Sequence, residues 1–231
     1  MTPTAIVTGA SRGLGLALAR ALAARGWRLV IDARTAGELE AARAELATLT
    51  EVVAVAGDVT DSWHRAALVD AAGARIDLLV NNASTLGVSP LPALADYPPA
   101  AFEDVLRVNV VAPLVLMQLA LPLLPPGGRI VNVTSDAAVE GYEGWGGYGA
   151  SKAALEQLSN VLAAERTDLR VYAVDPGDMN TRMQQDAFPG EDISDRPPPQ
   201  DSVPGLLALV EGDVPSGRYR AAELAATPVT T

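Results

Sequence analysis

The stretch Thr4-Ala-Ile-Val-Thr8-Gly9-Ala-Ser11-Arg12-Gly13-Leu14-Gly15 constrains this chain more than any other, because it joins a short apolar strand to a helix through a glycine turn. Glycine reaches positive φ and lets the backbone approach a ligand closely, and the free amides of the helix that follows carry partial positive charge. A strand, a glycine turn and a helix in that order cradle a pyrophosphate. The glycines fall at Gly9, Gly13 and Gly15, so the strict G-x-G-x-x-G form is absent, as is a P-loop ending in Gly-Lys-Ser/Thr.

Beyond this turn, short apolar strands alternate with longer helical stretches, the pattern of a parallel sheet built from βαβ units. Strands are expected near 4–8, 28–32, 51–56, 77–81, 128–134, 169–174 and 217–221. Helices are expected at roughly 13–25, 36–49, 61–73, 99–123 and 148–165, with Pro113 and Pro122 kinking or ending the fourth. Hydrophobic residues make up 49% of the chain and aromatics only 4%, so Ala, Val and Leu must build the core, as suits strands covered on both faces. The expected fold is α/β, a doubly wound parallel sheet of about seven strands with helices on both faces. No repeat or boundary divides the 231 residues, so 1–231 reads as a single domain. The Pro-rich, acidic run 189–204 reads as a loop that forms neither helix nor strand.

The chemistry-bearing pattern is Tyr148-Gly-Ala-Ser-Lys152, a phenol and an ammonium four residues apart on one helix face. Ser135 follows the apolar run Arg129-Ile-Val-Asn-Val-Thr134, which places its hydroxyl at a strand's carboxyl end, where open α/β sheets keep their ligands. A phenol with a pKa near 10 is a poor acid–base group at neutral pH. An ammonium about 4 Å away, at an effective dielectric near 20, is worth ~4 kcal/mol or about three pKa units, which brings the phenol near 7.

With these residues the chain resembles the short-chain dehydrogenase/reductase family, in its single-domain subfamily. The likeness runs through Thr8–Gly15, Asp58-Val59, Asn81-Asn82-Ala83, Asn109, Ser135, Tyr148 with Lys152, and Pro176-Gly177 followed by Thr181, in family order. It departs at Ser84, where Asn-Asn-Ala-Gly is usual, at Asp136 directly after the serine, and in a short C-terminal part. The resemblance implies a Rossmann-type fold and an oxidoreductase that moves a hydride between a nicotinamide and a carbonyl or alcohol carbon. Tyr148 would be the acid/base, Ser135 the partner of the substrate oxygen, and Asn109 the residue that breaks its helix and holds a water relaying protons to Lys152. Lys152 would also hold the nicotinamide ribose. Asp58 would accept from the adenine amino group, with Val59 against the ring. Asn82 and Ala83 would meet the adenosine ribose, while Pro176, Gly177 and the backbone around Asp178 would flank the nicotinamide and Thr181 would bond its carboxamide. The segment around 182–204 would be a flexible substrate loop, and helices 99–123 and 148–165 a subunit interface in a homodimer or homotetramer.

Cofactor choice rests on the end of the second strand, Leu29-Val-Ile-Asp32-Ala33-Arg34. An acid there selects NAD by accepting from ribose hydroxyls, and an arginine selects NADP by meeting a 2′-phosphate. Asp32 stands one position early and points to the other side of the strand. Arg34 and Arg12 can fork a dianionic phosphate, which favours NADP(H) and leaves NAD(H) possible. The pocket is expected among Thr85, Leu86, Asp136, Val139, Tyr142, Trp145, Met179, Met183 and Phe188, mostly apolar with aromatic walls, and fits a small carbonyl or alcohol compound.

Other classes fit poorly. A net charge of −11 opposes binding to a nucleic-acid backbone. The chain has no cysteine and one histidine, so neither a metal site of the usual kind nor a thiol nucleophile is expected. His64, beside Trp63 in a surface helix, reads as structural. A serine hydrolase would need a G-x-S-x-G elbow, and a non-catalytic dinucleotide sensor on the same fold would be expected to lack Ser135, Tyr148 or Lys152. An epimerase using the same phenol stays open. No apolar run reads as long enough to span a bilayer, and no basic or apolar leader precedes the first strand, so a cytoplasmic protein is expected.

Overall fold

The computed structural model describes residues 2–225 and holds one sheet of seven parallel strands. β1 (Thr4–Val7), β2 (Arg28–Ala33), β3 (Val52–Ala56), β4 (Leu78–Asn81), β5 (Arg129–Val133), β6 (Arg170–Asp175) and β7 (Gly217–Arg220) lie in the order β3-β2-β1-β4-β5-β6-β7. Ile6 of the central strand sits opposite Val30 on one side and Leu79 on the other. The chain begins at the centre, builds outward to β3 and then crosses to β4. The topological switch point therefore lies between β1 and β4, and a crevice opens there at the strands' carboxyl ends.

Nine α-helices are described: α1 (Gly13–Ala23), α2 (Ala36–Leu46), α3 (Ser62–Ala72), α4 (Pro99–Leu106), α5 (Ala112–Ala120), α6 (Gly146–Glu165), α7 (Arg182–Ala187), α8 (Val203–Glu211) and α9 (Ala221–Ala225). Alternate strand residues serve opposite layers, as a period of two requires. Val7, Leu29, Ile31, Val131 and Tyr172 pack with α1, α2 and α8. Ile6, Val30, Leu79, Ile130 and Val171 pack with α3, α5 and the inner side of α6. Both faces are buried, which is why the strands read as apolar runs.

Four expectations change. The helix expected over 99–123 contains a π-helical turn at Arg107–Val111 with Asn109 buried inside it. Pro113 follows directly on that π turn in the first turn of α5, and the backbone stays helical across the junction, so Pro113 does not end the helix. The run 189–204 is not wholly loop, because Pro199–Ser202 forms a 3₁₀ turn and α8 begins at Val203 with Pro204 in its first turn. Pro-rich sequence there starts a helix instead of preventing one. Finally, Pro99–Leu123, whose most apolar 18-residue window has a mean hydropathy of 1.7, is long and apolar enough by composition to cross a bilayer. Its Leu116, Met117 and Ala120 pack into the core with Leu79 and Ile130, so part of that apolarity is the stripe of a core helix.

Candidate active site

The glycine turn is shaped by its neighbours. Gly9 has φ +66°, and a Cβ there would stand 3.0 Å from the Ala83 Cα. A Cβ on Gly15 would drive into the Gly9 carbonyl oxygen and the Asn82 amide. The turn is tied down from three sides. Asn82 Nδ2 donates to the Thr8 and Gly9 carbonyls at 2.8 and 3.1 Å, and Thr8 Oγ1 accepts from the amides of Asn82 and Ala83. Asp32 accepts from Gly9 N at 2.6 Å and meets His64 Nε2 at 2.9 Å. Asp32 borders the same cleft as Arg12 and Arg34, but its carboxylate is committed to Gly9 and His64. His64 is structural but not at the surface: it is buried, while the adjacent Trp63 is 84% exposed, because neighbours on a helix point about 100° apart. Gly57 makes room for the imidazole, since a Cβ there would collide with it. The α1 N-cap, Arg12, makes no side-chain cap bond, so no cap competes for the first amides of the helix.

Ser135 follows β5, and Tyr148 and Lys152 lie in the first two turns of α6, both buried. Lys152 Nζ donates to the Val133 carbonyl at 2.8 Å and lies 5.3 Å from the centre of the Tyr148 ring. Ser84 and Ser135 lie close enough to the phenol to oppose the rise in its pKa. Asn109 uses its whole side-chain amide: Nδ2 donates to Thr85 O and Ser151 Oγ, and Oδ1 accepts from Thr85 N and Ser84 Oγ. Any water held here would have to use the asparagine's main chain.

The electrostatics correct one expectation. Burial, together with the Asp175 and Asp136 carboxylates, pushes the Tyr148 phenol well above its ordinary value against the pull of Ser84 and Ser135. Burial also draws the Lys152 ammonium down to about 7. The phenol is therefore raised rather than brought near 7, with desolvation by burial the largest cause for both groups. Around them runs a chain of ion pairs. Arg218 meets Glu156 at 3.0 Å, the Ser135 carbonyl at 3.3 Å and Asp175 at 3.6 Å. Arg220 joins Asp175 to Glu140. Burial raises Asp175, with Gly177 N, Arg218 and Arg220 opposing.

The glycine turn, Ser84, Ser135, Tyr148, Lys152 and Asp175 border one cleft of about 940 Å³ at the switch point, with Glu156, Arg218 and Arg220 behind its wall. The expected site residues line it, except Gly15, packed beneath the turn, and Asn109, which lies behind Ser84 and Thr85. Arg12 and Arg34 line one end, where Arg12 is paired with Glu38 at 3.1 Å. Asp58 lines it too; burial opposes its ionisation, but the amide and hydroxyl of Thr60 and the charge of Arg34 hold it below the usual carboxylate range. Thr181 caps α7 through Gln184 N, and Asp178 accepts from Gln184 Nε2. Trp145 packs edge-on to Tyr148 at 5.6 Å and against Phe188 at 6.1 Å. Of the expected pocket residues only Val139 is off the wall, 58% exposed after the turn Asp136–Ala138. Sequence reasoning missed Ser84 as a partner of the phenol, although it stood out as a departure, and missed Glu38, Asp175 and Arg218, which only the fold brings near.

The family described as short chain dehydrogenase matches residues 3–192. A rhamnolipid-biosynthesis 3-oxoacyl-[acyl-carrier-protein] reductase of Pseudomonas aeruginosa is 32% identical, over 98% of this chain and 87% of its own. A short-chain dehydrogenase from Pseudomonas syringae superposes with a TM-score of 0.87 at 32% identity, covering 95% of this chain and 94% of that one. A short-chain dehydrogenase from Shigella flexneri, solved with NADP, gives 0.85 at 30% identity over 95% and 96%. Sheet order, glycine turn and these likenesses agree, and the chain belongs to the short-chain dehydrogenase/reductase family of oxidoreductases.

Proposed function

We propose that the chain transfers a hydride between NADP(H) and the carbonyl or alcohol carbon of a small molecule, with Tyr148 as acid/base. The observation that carries this is the convergence of Tyr148, Ser135 and Lys152 on one end of a single cleft whose other end holds Arg12 and Arg34. The residues present fit the cofactor: a turn crowded against any Cβ at Gly9 and Gly15 and in the left-handed region at Gly9 and Gly13, helix amides without a side-chain cap, and two guanidiniums at the adenosine end. When bound, the nicotinamide supplies or takes the hydride. The chain's own groups do the rest. Gly9, Ser11, Gly13 and Leu14 would receive the diphosphate, Asp58 and Val59 the adenine, and Asn82 and Ala83 the adenosine ribose. Pro176, Gly177, Asp178 and Thr181 would hold the carboxamide. Lys152 would take the nicotinamide ribose and supply positive charge beneath the phenol, Asn109 would fix the segment behind it, and the 182–204 segment would cover the substrate.

NADP over NAD is supported by Asp32, whose carboxylate is committed to Gly9 and His64. Glu38, beside Arg12, is the feature that favours NAD. Fluorescence titration decides between them: NADPH should bind at least about tenfold tighter than NADH, and equal affinities overturn that choice. Tyr148→Phe should lower turnover by about 10²–10⁴-fold while cofactor binding persists. Full carbonyl-reductase activity in that variant would refute the acid/base role.

A further inference from the structure

We propose that His64 is a positioning residue for the dinucleotide: it neutralises the Asp32 carboxylate under the glycine turn, so that binding of the diphosphate and of a proton to this ring favour each other. This rests on the dinucleotide reading above and adds to it a residue that lies behind the cleft wall. Asp32 is 1% exposed and holds the turn twice, its carbonyl accepting from Ala10 N at 2.9 Å and its Oδ1 from Gly9 N at 2.6 Å. Its Oδ2 takes His64 Nε2 at 2.9 Å. A carboxylate only accepts, so Nε2 carries a hydrogen whatever the charge of the ring, and the proton that charges the ring goes to Nδ1. Nδ1 abuts Gly57, where a Cβ would strike it, and Gly57 lines the cleft. The ring therefore reaches from the carboxylate to the cleft wall.

With the ring neutral, a buried carboxylate stands under the amides expected to receive an anion, and like charges disfavour each other where little water screens them. With the ring charged, the pair is neutral and that repulsion goes. Of the elements packed most closely on α3, β1, β3 and α5 carry no charged side chain. β2 brings Asp32 and also Arg28, which sits on the Ala71 and Ala72 carbonyls at the far end of the helix. The charges of α3 itself are Asp61 at its cap, Arg65 on the Val59 carbonyl and Asp70 near its end. Past the strands, burial opposes the ionisation of Asp58, but Thr60, Arg34 and His64 hold it below the usual carboxylate range. Among all these groups only an imidazole ordinarily changes charge between pH 5 and 8. Lys152, drawn down to about 7 by burial, lies elsewhere in the cleft, beside Tyr148.

The test uses the intact protein and ADP-ribose, whose diphosphate stays ionised throughout and which carries no 2′-phosphate to titrate. Because the chain has one histidine, the ring C–H proton resonances follow His64 without any variant. Saturating ADP-ribose should move their titration midpoint to higher pH by at least about half a unit, which by reciprocity makes ADP-ribose bind about threefold tighter below the midpoints than above them. His64→Gln keeps a donor for Asp32 without the charge and leaves Lys152 in place. In calorimetry with two buffers of different ionisation enthalpy it should take up fewer protons on binding than the wild type, and it should lose affinity at about pH 6 but not at about pH 8.5. A histidine that only packs predicts the same loss at both. A midpoint that ADP-ribose leaves in place, equal proton uptake by the folded variant, or a loss equal at both pH values overturns the proposal. Failure of ADP-ribose, NADH and NADPH alike to bind the wild type would instead count against the dinucleotide reading itself.

Discussion

Lys152 is the side chain whose state most affects the site, and its burial makes it pH-sensitive in a definite direction. Its ammonium titrates at about 7 in the folded chain against an ordinary 10.5. Between those values the unfolded chain binds a proton that the folded chain does not, so stability rises with pH across this window and is lost as pH falls through 7. The cost below 7 is on the order of several kcal/mol, at about 1.4 kcal/mol per tenfold change in the ionisation equilibrium. Lys152→Met should accordingly stabilise the chain more at pH 6 than at pH 9.5, by urea denaturation. Parallel stability curves for the two proteins would contradict a buried, weakened ammonium. At the other end of the cleft Glu38 occupies Arg12 through a pair in which both side chains are nearly half exposed, so the pair itself stabilises by about 1 kcal/mol or less. Its larger effect falls on the cofactor: Glu38→Gln should tighten NADPH several-fold at low salt and leave NADH nearly unchanged. Titrations that shift both dinucleotides equally would place the adenosine phosphate away from Arg12.

Among the elements, β7 does more for the site than its edge position implies. Arg218 on this strand spans β5 at the Ser135 carbonyl, α6 at Glu156 and the end of β6 at Asp175. Glu156 lies one turn beyond Lys152 and also accepts from Thr134 Oγ1 at 2.7 Å, so one guanidinium sets the helix bearing the phenol against the strand bearing the serine. Arg218→Met leaves Glu156 buried without its cation and Asp175 with only the more distant Arg220, and should cost about 3 kcal/mol of stability. Adding Glu156→Gln should restore part of it, as thermal denaturation would show, whereas additive losses would mean the two side chains are not coupled. This network was not legible in the sequence, because Ser135, Glu156, Asp175 and Arg218 meet only through the register of three parallel strands. The strands themselves were legible, since apolar runs such as Leu78–Asn81 carry their own signal. So were the glycine turn and the Tyr148–Lys152 pair, whose spacing is local. Helix α8 was hidden behind Pro204, and the π turn at Asn109 was legible only through the family likeness. The ionisation of Tyr148 was misjudged because spacing reports nearness of a charge and says nothing of how far both groups are desolvated.

At the scale of the whole molecule, the outer face of the second helical layer is the surface that asks for a partner. The most apolar 18-residue window of Pro99–Leu123 has a mean hydropathy of 1.7, yet only 39% of that window is buried. Val111 and Leu119 on this run are 46% and 37% exposed, and Val161 on α6, which packs beside it, is 44% exposed. Apolar surface gathered on neighbouring helices is stabilised by covering it, at roughly 25 cal/mol for each Å² removed from water, and a second copy presents the same surface by two-fold symmetry. We therefore expect a homodimer or homotetramer joined through α4, α5 and α6. The net charge of −11 works against that association, since every subunit carries it. Salt shortens the reach of this repulsion to about 8 Å at physiological ionic strength, whereas it leaves apolar contact intact. Light scattering should thus find an oligomer at micromolar concentration that tightens as salt is raised, and Val161→Glu should loosen it without unfolding the subunit. A monomer at every salt concentration would show that these helices meet no second copy.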